Sequence, residues 1–119
     1  MKKYVKSAKN SEVTLEDIRD VVEKLGWGFK EYDDYIMVEN WTDVAGQDIF
    51  FETNSKDPAK VIDEIIDYAN NYDVDEEFDV YNEYRGENGV PSSARTLLED
   101  LENAQEMWNE LAEALGRLH

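Results

Sequence analysis

The chain has no cysteine, which excludes disulfides, thiolate nucleophiles and zinc–thiolate sites. Its one histidine is His119 at the C-terminal end, so histidine-based acid–base chemistry and metal ligation have almost nothing to use. Among its six glycines, Gly26 and Gly28 form a Gly-x-Gly with no third glycine in register, and no Gly-Lys-Ser/Thr occurs anywhere; no phosphate-cradling loop is spelled out. Apolar runs fall far short of the ~20 residues that a membrane span needs. No signal peptide's apolar stretch follows the N-terminal lysines. The expectation is a soluble, cytoplasmic protein with no cofactor and no catalytic residue.

What is scarcest is positive charge. Twelve lysines and arginines face 29 aspartates and glutamates, for a net charge of −17. Apolar residues at 41% and aromatics at 12% are too abundant for an acidic disordered chain, so the charge sits on a fold. Lys2, Lys3, Lys6 and Lys9 are concentrated at the start, and the remaining 8 bases against 29 acids from Asn10 onward give −21. Residues 1–12 read as a basic, flexible arm and residues 13–119 as one acidic domain, large enough for its own core. A surface of this sign repels nucleic acid and anionic membranes and attracts cationic proteins.

Periodicity predicts an α+β fold. Thr14 with Asp17 has the spacing of a capping box, and Leu15, Ile18, Val21, Val22 and Leu25 recur on one helical face until Gly26. Aromatic and β-branched residues then cluster between the turn signals Asp33-Asp34 and Asp43 to Gly46, predicting three short antiparallel strands near 27–32, 35–41 and 47–53. Ile36 and Val38 on the second strand, and Ile49 and Phe51 on the third, mark the faces turned to the helices. Asp57-Pro58 supplies an N-cap and a first-turn proline for a helix to about Tyr72, with Ala59, Ile62, Ile65, Ile66 and Ala69 inward. Trp27, Trp41 and Trp108 read as core.

The segment Asp73 to Glu87 holds seven acidic side chains, Asp73, Asp75, Glu76, Glu77, Asp79, Glu83 and Glu87, around Val74, Phe78, Tyr81 and Tyr84. The apolar spacing predicts a short helix over 75–84 that docks by its aromatics and holds its carboxylates outward. A calcium loop is excluded, because Phe78 stands where glycine is needed at position six and Tyr84 where glutamate is needed at position twelve. With 29 acids in the chain, a carboxylate pair at a glycosidase spacing is inevitable and carries no weight. Gly86, Gly89 and Pro91 then break the chain before Ser92 or Ser93 caps a last helix.

That helix carries a seam of Leu97, Leu101, Ala104, Trp108, Leu111 and Leu115, spaced by four and three. Opposite it, Glu99, Glu102, Glu106, Glu110 and Glu113 form a carboxylate stripe that no base interrupts after Arg95. Lysine four residues on would add a few tenths of a kcal/mol per pair, and the helix forgoes it. The stripe is either a solvating coat or a contact surface. A long seam also offers a route to pairing, but parallel pairing would bring the glutamates together, so a monomer or an antiparallel homodimer is predicted.

The stretches NWTDVAGQDIFF (40–51), DYANNYDVDEEFDVYNEYRG (67–86) and NGVPSSARTLLEDLENAQEMWNELAEAL (88–115) together resemble small acidic proteins of unknown function carried by phages and conjugative elements of Gram-positive bacteria. The most recognisable parts are the aspartate-rich segment, the Gly-Val-Pro before the last helix and the Leu-Leu-Glu-Asp that opens it. The resemblance implies a mobile-element setting, in which small, highly acidic, non-enzymatic proteins resemble anti-restriction or anti-CRISPR inhibitors that imitate DNA and bind nucleases or other DNA-binding proteins. It brings no catalytic residues with it. One stripe at ~1.5 Å rise per residue presents a charge every ~5 Å, against ~1.7 Å for duplex DNA; placing the 73–87 cluster beside it would roughly double the density. The alternative is a protein–protein interaction or assembly domain whose acidity serves solubility.

Overall fold

The structure, a computed structural model, describes residues 13–118; the basic arm and His119 lie outside the described residues. Helix α1 (Leu15–Lys24) starts as the sequence predicts. The Thr14 hydroxyl accepts from the Asp17 backbone N–H at 3.1 Å, and the Asp17 carboxylate accepts from the Thr14 N–H at 3.0 Å. This reciprocal pair satisfies two donors that a helix start leaves open. Strands β1 (Gly28–Glu31), β2 (Ile36–Val44) and β3 (Gln47–Thr53) follow, then helices α2 (Pro58–Asn71), α3 (Val74–Asn82) and α4 (Ala94–Gly116). The result is the expected α+β arrangement: among the described residues, a three-stranded antiparallel sheet in the order β1-β2-β3 and four helices, of which the C-terminal one is long.

The inner face of the sheet presents Phe29, Ile36 and Val38 to Ile18 and Val22 of α1, to Val61, Ile62, Ile65, Ile66 and Ala69 of α2, and to Trp108, Leu111, Ala112 and Leu115 of α4. Val61 is fully buried although the sequence pattern placed only Ala59, Ile62, Ile65, Ile66 and Ala69 on the buried side, and Ala59 is only half-buried. Asp57 occupies the N-cap position of α2 without lending its carboxylate. Instead its own N–H donates to the Ser55 hydroxyl at 3.2 Å.

A second, smaller core lies toward the N-terminal half of α4, where Leu97, Leu101 and Ala104 meet Val44 and Ala45 at the β2–β3 turn, and Val90 of the α3–α4 connection. Helix α3 closes this core with Val74, Phe78 and Tyr81. Every residue of the predicted seam on α4 is buried, consumed by the chain's own two cores rather than left open to a second copy.

Two predicted core positions are on the surface. Trp41 is 57% exposed, because Ile36, Val38 and Asn40 face inward and strand alternation turns Trp41 out with Glu39 and Met37. Its indole lies over β1, where a Cβ on Gly28 would come within 2.5 Å of the ring. Tyr84, expected to dock with Phe78 and Tyr81, falls beyond the end of α3 and is 49% exposed.

The tip of the β2–β3 hairpin is a two-residue turn with positive φ at Ala45 (54°) and Gly46 (80°), the sign that a type I′ turn requires at both positions. The Ala45 N–H donates to Asp100 Oδ2 of α4 at 3.3 Å. A Cβ on Gly46 would lie 2.5 Å from the carbonyl carbon of Gly89, so the hairpin tip and the α3–α4 connection touch backbone to backbone.

Truncating Trp108 to alanine is expected to cost about 3–5 kcal/mol in urea unfolding, whereas Trp41→Ala should cost about 1 kcal/mol or less, as a surface change. Gly46→Ala should destabilise by about 1–3 kcal/mol, since it combines an unfavourable φ with a clash against backbone that has no rotamer to yield.

Candidate acidic surface and aromatic cleft

The carboxylates predicted to form a contact surface come from α3, the connection that follows it, and α4. Helix α3 packs directly against α4, because Phe78 and Tyr81 bury their apolar surface in the core that Leu97, Leu101 and Ala104 share with Val44, Ala45 and Val90. Its acidic side chains therefore lie on a helix beside the one that carries the stripe. Asp75, Glu76, Asp79, Glu83, Glu87, Glu99, Glu102, Glu106, Glu110 and Glu113 are all exposed.

Two predicted site residues have other duties. Asp73 is the N-cap of α3, and its Oδ1 accepts from the N–H groups of Asp75 at 2.9 Å and Glu76 at 3.2 Å. Such a cap is worth about 1 kcal/mol, and the acids of the first turn add favourable charge at the positive end of the helix. Part of the acidity of this segment thus serves the helix itself. Glu77 turns inward and is half-buried, whereas the sequence pattern placed it outside. Within the stripe, Glu113 meets Arg117 one turn on, at 3.1 Å, so positive charge reaches the C-terminal end of the row. Arg85 is held within the α3–α4 connection, donating to Asn82 Oδ1 at 2.8 Å and to the Ser92 carbonyl at 2.9 Å.

Glu77 borders a cavity of about 220 Å³ between β3, α2, α3 and α4, whose walls include Tyr68, Tyr72, Tyr81 and Trp108. Tyr68 stands edge-on to Trp108 with ring centroids 4.7 Å apart, and Tyr72 lies 6.5 Å from Tyr68 at 59°. The C-terminal end of α2 is tied to α4 by Gln105, which donates to the Tyr72 carbonyl at 3.4 Å. Among the described residues, no lysine or arginine pairs with Glu77, and no hydrogen bond joins its carboxylate to the phenols. Burial raises the Glu77 carboxyl above the usual carboxylate range, with the neighbouring charges of Glu76 and Asp73 adding to it. Burial, followed by the charge of Glu77, raises the Tyr68, Tyr72 and Tyr81 phenols, Tyr72 most of all.

Sequence reasoning missed Tyr68 and Tyr72. The available signal was their i, i+4 spacing at the end of α2, immediately before the acidic segment. The DVDEEFDVYNEY segment is helical from Val74, so its alternating carboxylates fan around a helix axis. No helix among the described residues is long and apolar enough to cross a membrane. Comparison with known protein families, curated proteins and solved structures returned no match.

The raised Glu77 carboxyl predicts a pH effect on stability. A carboxyl whose folded pKa exceeds its unfolded value binds its proton more tightly in the fold, so its stabilising contribution is complete at low pH and is lost as pH rises through the folded pKa. Glu77→Gln should therefore raise the thermal midpoint at pH 7. Melting curves recorded between pH 7 and pH 4 should show this difference shrinking as the wild-type carboxyl takes up its proton, around and above the ordinary value of about 4.3.

Proposed function

We propose that the protein is a non-enzymatic inhibitor that occupies the cationic DNA-binding groove of another protein, of the anti-restriction or anti-CRISPR type, acting in the cytoplasm of the host of a mobile element. The observation that carries this reading is the docking of α3 against α4, which sets two acid-bearing helices side by side. Packed helices lie ~8–10 Å apart, within about a Debye length at physiological salt, so a groove lined with lysine and arginine meets both rows together. From Glu99 to Glu113 the stripe runs ~21 Å, the rise of roughly six base pairs at ~3.4 Å each. Helix α3 spans ~13 Å and adds the exposed Asp75, Glu76 and Asp79 beside the N-terminal part of the stripe, which raises the local charge density above that of a single row.

The second reading, a protein–protein interaction or assembly domain, is favoured by a different surface. Trp41 and Phe50 are 57% and 53% exposed, and strand register places both on the outer face of the sheet, away from the core. Exposed aromatics of this kind supply anchors at protein interfaces.

A DNA-cleavage assay over a panel of restriction and CRISPR nucleases separates the two. DNA mimicry predicts inhibition that excess duplex DNA relieves and that falls steeply as salt rises. The triple variant D75K/E76K/D79K should abolish it with the fold intact, and E102K/E106K/E110K should give a similar but smaller loss, since the single stripe is more dilute. Inhibition or partner binding that survives both reversals at physiological salt, but is lost in Trp41→Ala, would make the carboxylates a solubilising coat and establish the interaction domain.

A further inference from the structure

The half-buried Glu77 stands apart from the exposed acids, because it contributes little to an outward-facing row of charge and its burial opposes its charge. Its neighbourhood is organised around it. Tyr68, Tyr72 and Tyr81 line the same cavity from α2 and α3, and their phenols lie close enough for the Glu77 charge to be felt by each. A carboxylate and three phenols that converge without pairing to one another leave hydrogen-bonding capacity directed at whatever enters. Asp73 and Glu76 border the adjoining depression on the same rim, so the entrance is negative as well.

We infer that this cleft, with Glu77 flanked by Tyr68, Tyr72 and Tyr81, is the seat for one arginine side chain of a basic protein partner. The inference rests on the proposed reading that the partner is cationic, and it adds the specific contact. Three physical features select this occupant. The cavity, about 220 Å³, falls below the ~300–1,000 Å³ of pockets that enclose a drug-sized ligand, which suits a side-chain head. Tyr68 and Tyr72 both line the cavity with ring centroids 6.5 Å apart, so a cation seated between them lies within the ~6 Å centroid distance at which aromatic rings attract positive charge. Among the described residues, no three acidic side chains converge to hold a metal ion. Guanidinium is favoured over ammonium because it is planar, stacks on aromatic rings, sheds water more readily and offers a fork of donors that a carboxylate accepts in pairs.

Occupation also reverses the electrostatics of the cleft. An arginine beside Glu77 supplies the counter-charge that the fold withholds, so the carboxylate that destabilises the free protein stabilises the complex.

The test is an NMR titration of the full chain, following the tyrosine ring and Trp108 indole resonances. N-acetyl-arginine amide should produce saturable shifts at Tyr68, Tyr72 and Tyr81, N-acetyl-citrulline amide of the same shape and no charge should produce none, and N-acetyl-lysine amide should bind several-fold more weakly. Glu77→Gln, whose fold is expected to be more stable than wild type at pH 7, should lose at least tenfold in affinity, and Tyr72→Phe should keep most of it through the retained ring. The inference is overturned if the arginine probe gives no saturable shift, if citrulline or lysine binds as well as arginine, or if Glu77→Gln binds unchanged. Failure here with inhibition still sensitive to the exposed charge reversals would remove the arginine seat alone. Success here with no DNA-relievable inhibition would remove the mimicry and leave the seat.

Discussion

Trp108 is the contact on which the rest of the structure depends. Its indole lies 4.8 Å from Trp27, at the junction of α1 and β1, and 4.7 Å from Tyr68 on α2, so one side chain of α4 joins the first third of the chain to the middle. Tyr68 carries the series onward to Phe51 at 5.5 Å and to Tyr72. Tilted aromatic pairs of this kind are worth ~0.5–1.5 kcal/mol each beyond their burial. They matter more here than in a neutral domain, because a chain carrying −21 from Asn10 onward is pushed apart by its own surface. The same series ends at the cleft, so the ring that anchors the core also sets the position of the wall facing Glu77.

Acidity in this protein serves different roles at different positions. Asp17 and Asp73 close helix starts, Asp100 accepts from the hairpin tip, and Glu39 pairs with Lys30 at 2.7 Å on the outer face of the sheet. Apart from Glu113, which pairs with Arg117, the exposed acids of α3 and α4 have no comparable hydrogen bond or ion pair among the described residues, and it is this remainder, on two helices docked together, that the proposed contact with a cationic partner draws on. Glu77 differs from both groups, since its burial opposes its charge.

The features legible from sequence were those governed by local periodicity or local hydrogen bonding. The capping box at Thr14 and Asp17, the inward pair Ile36 and Val38, and the seam from Leu97 to Leu115 each follow from spacings of two to four residues, and each is present. What escaped depended on where distant segments meet. Trp41 is apolar enough for a core and faces outward because of the phase of its strand, one position from Asn40, whose side-chain oxygen accepts from the Thr42 N–H at 2.9 Å. Glu77 looks like its neighbours Asp75, Glu76 and Asp79 until α3 is laid near the end of α2. The cleft is legible only in three dimensions, being assembled from residues of α2, α3, α4 and the edge of β3.

Helix α4 contributes its N-terminal half to one core and its C-terminal half to the other, while following every other element in chain order. During synthesis, α1 and α2 emerge in time to cover part of the sheet, but the side of each core that α4 supplies must wait for that one helix. A chain interrupted before Leu97 would leave both cores without their α4 side chains and would present that apolar surface to chaperones and proteases. The helix bearing the outward charge is thus also the latch of the fold, so every folded copy displays the acidic stripe.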